Sequence, residues 1–468
     1  MVAILDTTLR EGEQTPYVNF SLSEKLEIAR LLDQVGVEMI EAGDPSVSPS
    51  IATAVGKIAG LGLKAEVVAH SMAIKKSIDI AKSCGADRVA IFFATSSIHL
   101  DNKLHKSQNQ ALEIICEHIA YARSLGLKVR YTPEDATRTE FGFLIKVCNA
   151  AIEAGADRIS FADTLGILQP HIMYERVCAL RENLMPCKID LHCHNDYGLA
   201  LANAMAGIRA GADCVHTTVN GLGERTGIPD LAETIVAFHN LEGLNQYNIQ
   251  PLMGISSSLE KVSGFFLAPN KPITGQNAFT HTSGVHTNGV LKDPKTYEPF
   301  DPAMLGRERK IVIDKYTGKS AVASRLDEYG IEVSPAELDV IVTRIKNLSD
   351  NRKQLFDTDI IEIAEKVTGR EIDVIPHDIN ALVMLEVESH VYTTSVVRRL
   401  RSFKDVSAVY EVTGEYDISA IVNVENVSAL NNLIEELRTV TGVKRTETRV
   451  ILKKYSGIGN GGNHGNAG

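Results

Sequence analysis

The first residues of the sequence that could carry out chemistry stand directly after a short apolar run. Residues 2–5 lead into Asp6-Thr-Thr-Leu-Arg10-Glu11-Gly-Glu-Gln14. Glu11 offers a hard oxygen ligand for a metal ion, and the planar guanidinium of Arg10 can stabilise an oxyanion. Because an adjacent Arg–Glu pair is more often a surface ion pair, the rest of the chain must supply partners before this segment counts as a site.

A histidine pair in Leu191-His192-Cys193-His194-Asn-Asp196 is the strongest local signal. In an extended strand, residues two apart face the same side, so His192 and His194 can present two imidazoles to one metal ion. The alternative is a pair of solvated histidines at a strand end. With Glu11 as a third ligand, the set would suit a catalytic divalent cation that keeps open coordination positions.

A second group of side chains can donate hydrogen bonds. His70, Arg130 and Thr132 together could hold an anionic substrate that carries more than one carboxylate. The alternative is that Arg130 pairs with Glu134 or Asp135 and that His70 is a packed core histidine.

The segment from Gly275 to Leu291 is rich in His, Thr and Asn, and it holds His286, with Tyr297 following shortly after. Its composition predicts a loop outside any regular element. Such a loop is either an ordinary connection or a functional segment that reaches a site.

Strands and helices alternate over the first 240 or so residues and must position these side chains. Strands are predicted at 2–6, 37–42, 65–70, 88–93, 128–132, 158–162, 188–192 and 214–219, with helices such as 23–35, 108–125 and 141–154 between them. A short sequence repeat supports this number of strands: Gly85, Gly155 and Gly211 each open a Gly-Ala-Asp-x-Val/Ile segment. Glycine suits the position after a helix, and the apolar run that follows suits a parallel strand.

Eight such units predict a (β/α)8 TIM barrel, in which catalytic side chains stand at the carboxyl ends of the strands. An open doubly wound sheet is the alternative, but no glycine-rich phosphate loop follows the first strand. The polar residues expected on the rim are Arg10, Glu11, His70, Arg130, Thr132, Glu134, Asp163, Thr164, His192 and His194. In a closed barrel the first strand neighbours the seventh through the eighth, which brings Glu11 towards the histidine pair.

The rest of the chain predicts two further regions. We expect a barrel over residues 1–255, a small helical accessory region over 256–374 with helices at 338–348 and 358–368, and a ferredoxin-like βαββαβ domain over 375–455. The elements of this last domain are expected near 383–388, 393–403, 406–413, 417–423, 428–440 and 446–452. Residues 456–468 are rich in Gly and Asn and are predicted to be disordered.

Composition limits the classes of function. The 468 residues carry a net charge of -11, which disfavours nucleic acid as a partner. We find no signal peptide and no long apolar span, so no membrane association is expected. The seven cysteines have neither zinc nor disulfide spacing, as expected of reduced thiols in a cytoplasmic protein.

Four motifs carry a resemblance to a known family. The segment Asp6–Gln14, His192-Cys-His194-Asn-Asp, Asn220-Gly-Leu-Gly-Glu-Arg225-Thr-Gly and Ala278-Phe-Thr-His-Thr-Ser-Gly-Val-His286 resemble the metal-dependent Claisen-condensing barrels, which include the homocitrate, 2-isopropylmalate and citramalate synthases. The resemblance covers about residues 1–350. The last domain is similar to the amino-acid-binding domain of feast/famine regulators, with Val412-Thr-Gly-Glu-Tyr-Asp417 as its matching turn.

Within this family the chain resembles the homocitrate-forming members most. They place a histidine at the position of His70 and an isoleucine at that of Ile228, where isopropylmalate synthases usually have arginine and asparagine. Asn220 and Leu199 match the isopropylmalate pattern instead, and Ala90 stands where some homocitrate synthases have aspartate.

The resemblance implies a condensation of acetyl-CoA with 2-oxoglutarate, feedback inhibition by lysine, and a homodimer or higher homo-oligomer. It implies Glu11, His192 and His194 as ligands of Mg²⁺ or Mn²⁺, with Zn²⁺ or Co²⁺ as alternatives. The implied substrate-binding residues are Arg10, His70, Arg130, Thr132 and Thr164. His286 is the implied base, supported by Tyr297 and Glu134 and supplied by the partner subunit. The rival interpretations are a 2-isopropylmalate synthase and a non-catalytic amino-acid sensor.

Overall fold

Eight parallel strands close into a barrel in chain order in the computed structural model, which describes residues 2–350, 355–372, 374 and 378–451. The strands are β1 Ala3–Asp6, β2 Met39–Gly43, β3 Glu66–Met72, β4 Arg88–Ala94, β5 Lys128–Glu134, β6 Arg158–Asp163, β7 Lys188–Cys193 and β8 Cys214–Thr217. The predicted (β/α)8 fold is confirmed. β8 ends two residues earlier than expected because Val219–Gly221 turns into a 3₁₀ helix.

Helices cover the outside of the barrel. They are α1 Leu22–Val35, α2 Pro49–Ala59, α3 Lys75–Ser83, α4 Ser97–His99, α5 Gln108–Ser124, α6 Phe141–Glu153, α7 Pro170–Asn183, α8 Ala200–Arg209, α9 Leu231–Glu242 and α10 Leu252–Ser263. α1 starts with the expected capping box between Ser21 and Glu24. The repeated glycines close α3, α6 and α8 at φ values of 78° for Gly85, 115° for Gly155 and 102° for Gly211, in the left-handed region that favours glycine.

The barrel interior is apolar towards its amino-terminal end and polar above it. Leu5, Met39, Val68, Ala90 and Cys214 form a small buried cluster inside the barrel. Two residues further along the strands, the same inward side carries Glu41 on β2, His70 on β3 and His216 on β8. This change from apolar to polar side chains places charged groups at the carboxyl ends, where TIM-barrel enzymes bind substrate.

The chain divides into two compact units, one formed by residues up to Phe279 together with Phe300–Glu308, the other by Thr280–Pro299 together with residues from Arg309 onward. The second unit begins with the paired strands β9 Thr280–His281 and β10 Lys310–Ile311 and with α11 Gly284–Lys292. Our prediction of a loop for the segment around His286 was wrong, because that residue lies in the first turn of α11. Helices α12 Lys319–Glu328, α13 Pro335–Ser349 and α14 Asp357–Thr368 follow.

The last domain has the predicted ferredoxin-like arrangement. Its elements are β11 Ile379–Val387, α15 Thr393–Leu400, β12 Val406–Glu411, β13 Ile418–Val424, α16 Val427–Arg438 and β14 Val443–Ile451. The antiparallel sheet has the order β12-β13-β11-β14, and its own apolar core lies between the sheet and the two helices. The tail predicted to be disordered, residues 456–468, lies outside the described residues.

Among the described residues, no helix has the length and apolar character needed to cross a membrane.

Candidate metal centre

Glu11, His192 and His194 converge at the carboxyl end of the barrel. Each of these buried side chains offers one ligand atom, and the three atoms lie within 4.8 Å of one another. The two imidazole rings stand on alternate residues of the β7 end, with centroids 5.0 Å apart. Glu11 follows β1, which neighbours β7 through β8. Closure of the barrel therefore brings together residues that are about 180 positions apart in sequence.

The protonation states of this triad suit a cation. Burial opposes ionisation of Glu11, but the adjacent Arg10 lowers the pKa of its carboxyl group below the usual value. Burial lowers the pKa of His192 well below the ordinary value and also lowers that of His194. One carboxylate and two neutral imidazoles are the form that metal binding requires. The chemistry of the donor set thus fits a divalent metal ion.

The glycine-rich segment after β8 packs against Glu11 and donates a hydrogen bond to its carboxylate. The backbone N–H of Glu224 donates to Glu11 Oε1 at 3.0 Å. Gly227 allows this close turn, because a Cβ there would lie 1.8 Å from the carbonyl oxygen of Gly221, and its φ is +76°. The motif that ends at Gly227 therefore packs against Glu11, a candidate metal ligand.

Glu41 belongs to the candidate site, and our sequence analysis did not identify it. Its fully buried carboxylate accepts hydrogen bonds of 2.7 Å from Arg10 Nε, Arg130 NH2 and Thr7 Oγ1. Arg10 also forms an ion pair with Glu11. The available signal was a single acid in the otherwise apolar strand β2, which a buried core does not tolerate without a cationic partner.

Arg130 and Thr132 point polar atoms into the barrel interior. Arg130 pairs with Glu41, so the alternative pairing with Glu134 or Asp135 is wrong. Within the described part of the chain, Arg130 Nε and Thr132 Oγ1 are buried and have no hydrogen-bond partner. Buried polar groups are rarely left unpaired, so these two atoms are candidate contacts for a polar ligand.

His70 lies on β3, two strands from Arg130. Its ring stacks on Phe92 with centroids 4.6 Å apart, and Nδ1 is 3.8 Å from a carboxylate oxygen of Asp44. Burial lowers the pKa of His70, so the ring is neutral and donates through one nitrogen.

The remaining predicted site residues contact neither the three candidate metal ligands nor Glu41 through any hydrogen bond described for them. Thr164 Oγ1 accepts from the backbone N–H of Asp135 at 2.9 Å. Glu134 accepts from Lys103 Nζ at 2.7 and 3.0 Å. His286 and Tyr297 belong to the second unit, where their ring centroids are 4.2 Å apart.

A second group of possible metal ligands, Asp190, Cys214 and His216, lies in the barrel interior. Arg158 binds Asp190 through Nε at 2.9 Å and through NH2 at 2.7 Å. Arg130 NH1 lies 3.3 Å from His216 Nε2. Two guanidinium groups beside the same ligands would repel a cation, so we interpret this group as an internal ion-pair layer.

Three known families together match most of the chain. Residues 1–259 match the HMGL-like family, residues 273–353 the homocitrate synthase post-HMGL domain-like family, and residues 380–457 the Lrp/AsnC ligand binding domain. Proteins named homocitrate synthase are similar over nearly the whole length. Those of Sulfurisphaera tokodaii and Saccharolobus solfataricus are 47% and 46% identical, each match covering 97% of this chain and 99% of the relative.

The solved structures that match this chain resemble it in the fold of the barrel region. The HMG-CoA lyase of Bacillus subtilis superposes with a TM-score of 0.51 at 21% identity, covering 57% of this chain and 95% of the lyase. The hydroxymethylglutaryl-CoA lyase of Pseudomonas aeruginosa gives a TM-score of 0.50 at the same identity, covering 57% and 94%.

Proposed function

The chain belongs to the homocitrate synthases, an acyltransferase family, and from that premise we propose that it condenses acetyl-CoA with 2-oxoglutarate and water to give homocitrate and CoA. The observation that carries the proposal is the convergence of Glu11, His192 and His194 in one barrel. The same interior holds donors of Arg130 and Thr132 that have no hydrogen-bond partner among the described residues. A metal centre together with a buried guanidinium group and a hydroxyl group suits a 2-oxoacid with a second carboxylate.

Glu11, His192 and His194 would hold the divalent cation, Mg²⁺ or Mn²⁺ in our proposal. When bound, the cation would supply Lewis acidity to the ketone of the oxoacid. Arg10 donates hydrogen bonds to the alkoxide that develops on the ketone oxygen, and its own direction is fixed by Glu41. Arg10 is held in place before the substrate arrives, so little reorganisation is needed during the reaction.

The distal carboxylate of 2-oxoglutarate would bind Arg130, Thr132 and His70. Arg130 Nε and Thr132 Oγ1 supply donors that no described side chain uses. His70 adds a neutral donor two strands away, and Thr164 helps to orient the oxoacid. Charge-assisted hydrogen bonds of this kind distinguish a dicarboxylate from a branched apolar oxoacid such as 2-oxoisovalerate.

His286 is the proposed base for the acetyl group. It takes a proton from the methyl carbon of acetyl-CoA, and that carbon then forms a bond to the ketone carbon of the oxoacid. Tyr297, whose ring lies against His286, and Glu134 assist this transfer. The ketone oxygen gains a proton, and water then cleaves the thioester to release CoA.

We propose that a second copy of the chain supplies His286 to each site. Exposed apolar side chains stand at the end of, or just after, six of the eight strands at the catalytic rim, a pattern that supports a covering partner. These are Tyr17, Val47, Met72, Ile74, Ile98, Ile167 and Tyr197. The activity would then depend on a dimer or larger homo-oligomer.

The last domain would bind an amino acid, and lysine as feedback inhibitor is our proposal, since homocitrate begins lysine synthesis through 2-aminoadipate. The match of residues 380–457 to the Lrp/AsnC ligand binding domain supports amino-acid binding there. Removal of residues 376–468 should abolish inhibition by lysine. Unchanged inhibition would contradict a role for this domain.

The seven free cysteines agree with our proposal of a cytoplasmic location.

A 2-isopropylmalate synthase is the rival from the same family. Asn220, one of two residues that match that pattern, donates to the carbonyl of Ser256 on α10 at 3.0 Å and accepts from the Ser256 hydroxyl group, so its amide is already engaged. Release of CoA from acetyl-CoA should be fastest with 2-oxoglutarate in a panel of 2-oxoacids. Faster release with 2-oxoisovalerate would favour the rival, and no release with any oxoacid would favour a non-catalytic sensor.

A further inference from the structure

His216 on β8 is a buried imidazole of the barrel interior that the proposed chemistry does not use. Only 1% of it is exposed. Its Nδ1 lies 3.1 Å from Nδ1 of His192. Its Nε2 lies 3.3 Å from NH1 of Arg130 and 3.5 Å from Oδ2 of Asp190. The ring therefore touches a candidate metal ligand, a candidate substrate-binding residue and a buried carboxylate.

We infer that His216 is a positioning residue that fixes the ring orientation and the tautomer of His192, so that Nε2 of His192 faces the metal ion. This inference rests on the proposed metal role of Glu11, His192 and His194. Metal-binding histidines commonly donate their second ring N–H to a fixed neighbour, and that neighbour sets which nitrogen is free.

The contacts allow two arrangements of protons. Two facing Nδ1 atoms share one hydrogen bond, so one ring donates and the other accepts. In the first arrangement His192 donates from Nδ1 and keeps a lone pair on Nε2, while His216 accepts at Nδ1 and donates from Nε2 to Asp190. In the second, His216 donates from Nδ1 and accepts at Nε2 from the guanidinium of Arg130.

Only the first arrangement is compatible with metal binding. In the second, His192 carries its proton on Nε2 and cannot coordinate a cation through that atom. Asp190 supports the first arrangement because Arg158 anchors its carboxylate, which keeps an acceptor beside His216. The imidazole hydrogen bond of Arg130 and the coordination of metal by His192 therefore exclude each other. His216 thus connects the proposed metal ligand to the proposed carboxylate-binding residue.

Binding of Mn²⁺, measured by electron paramagnetic resonance without any substrate, tests this role. His216→Leu removes the acceptor and should weaken Mn²⁺ affinity about 10- to 100-fold, the usual effect of losing such a partner. His216→Asn places an amide oxygen near the position of Nδ1 and should keep affinity within about threefold of the wild type, a loss smaller than the 10- to 100-fold effect of removing the partner. Cys214→Ala is the matched control, because Cys214 lies two residues earlier on the same inward side of β8 and should leave Mn²⁺ affinity unchanged.

Unchanged affinity in His216→Leu would overturn the inference, as would an equal loss in the Leu and Asn variants. If the wild type binds Mn²⁺, His192→Leu abolishes binding and His216→Leu has no effect, this inference fails and the proposed function stands. If the wild type binds no Mn²⁺, both fail.

Nitrogen-15 NMR of the wild type reports directly which ring nitrogen carries each proton. In Mg²⁺-loaded protein labelled with ¹⁵N-histidine, the proton between the two rings should reside on Nδ1 of His192, and His216 should be protonated on Nε2. The signals would be assigned by their loss in His192→Asn and His216→Asn. Protonation of His216 on Nδ1 in the loaded protein would overturn the inference.

Discussion

Replacement of Glu41 by glutamine tests whether one buried charge holds both arginines of the site. The change keeps the size of the side chain and removes the negative charge that Arg10 and Arg130 face at 2.7 Å. Each hydrogen bond to a charged group contributes about 1.5–3 kcal/mol, and breaking a buried ion pair from one side costs about 3–5 kcal/mol. The guanidinium of Arg130 is buried, and the side chain of Arg10 is only 11% exposed. Because neither charge can be well solvated without Glu41, we expect the free energy of unfolding to fall by about 3–5 kcal/mol.

Urea unfolding followed by far-ultraviolet circular dichroism measures this loss, since the chain has no tryptophan to report by fluorescence. Glu242→Gln is the matched control, because Glu242 pairs with Arg209, whose side chain is 58% exposed. A surface pair of this kind contributes about 0–1 kcal/mol. Glu41→Gln should also raise the KM for 2-oxoglutarate through Arg130 and lower kcat through Arg10. A stability loss no larger than that of the control would refute the reasoning.

Three further predictions follow from the site. His70→Leu should raise the KM for 2-oxoglutarate about 10- to 100-fold, the effect of losing a hydrogen bond to a charged group, and should change that for 2-oxoisovalerate far less; equal losses would remove His70 from the pocket. His286→Ala should lower kcat about 10²- to 10⁴-fold, the usual contribution of a general base, and retain binding of Mn²⁺ and 2-oxoglutarate by calorimetry; loss of oxoacid binding would contradict the role of base. Two imidazoles of ordinary pKa, about 6.5, would lose roughly 20-fold in metal affinity between pH 8 and pH 6 through protonation. Burial lowers the pKa values of His192 and His194, so their protonation moves to lower pH. Mn²⁺ affinity measured by titration should therefore fall clearly less than about 20-fold over that range. A fall of about 20-fold would show that the two imidazoles titrate as in water.

Much of the fold follows from local patterns. The Gly-Ala-Asp phrases at Gly85, Gly155 and Gly211 mark three helix ends because their backbone needs a positive φ, which few other residues adopt at low cost. Apolar runs between them predict buried parallel strands. The spacing of His192 and His194 predicts a shared side of one strand, and the structure shows both at the end of the barrel beside Glu11.

Other features depend on contacts between distant parts of the chain. Glu41 lies 89 residues from Arg130, and no motif in the sequence connects them. The interpretation that paired Arg130 with Glu134 or Asp135 was wrong because it favoured neighbours in sequence over neighbours across the barrel. The helix around His286 was missed because Gly284 and Gly289 lower its helix propensity, and both lie in close contacts, with Gly318 and with Tyr297, that leave no room for a side chain.

Anomalous scattering from crystals grown with Mn²⁺ and 2-oxoglutarate gives the most direct test of the proposed function. We predict one manganese peak at about 2.0–2.3 Å from a carboxylate oxygen of Glu11 and one nitrogen each of His192 and His194, as expected for such ligands. The distal carboxylate of the oxoacid should lie against Arg130. A peak elsewhere, or these three side chains without an ion between them, would contradict the proposal.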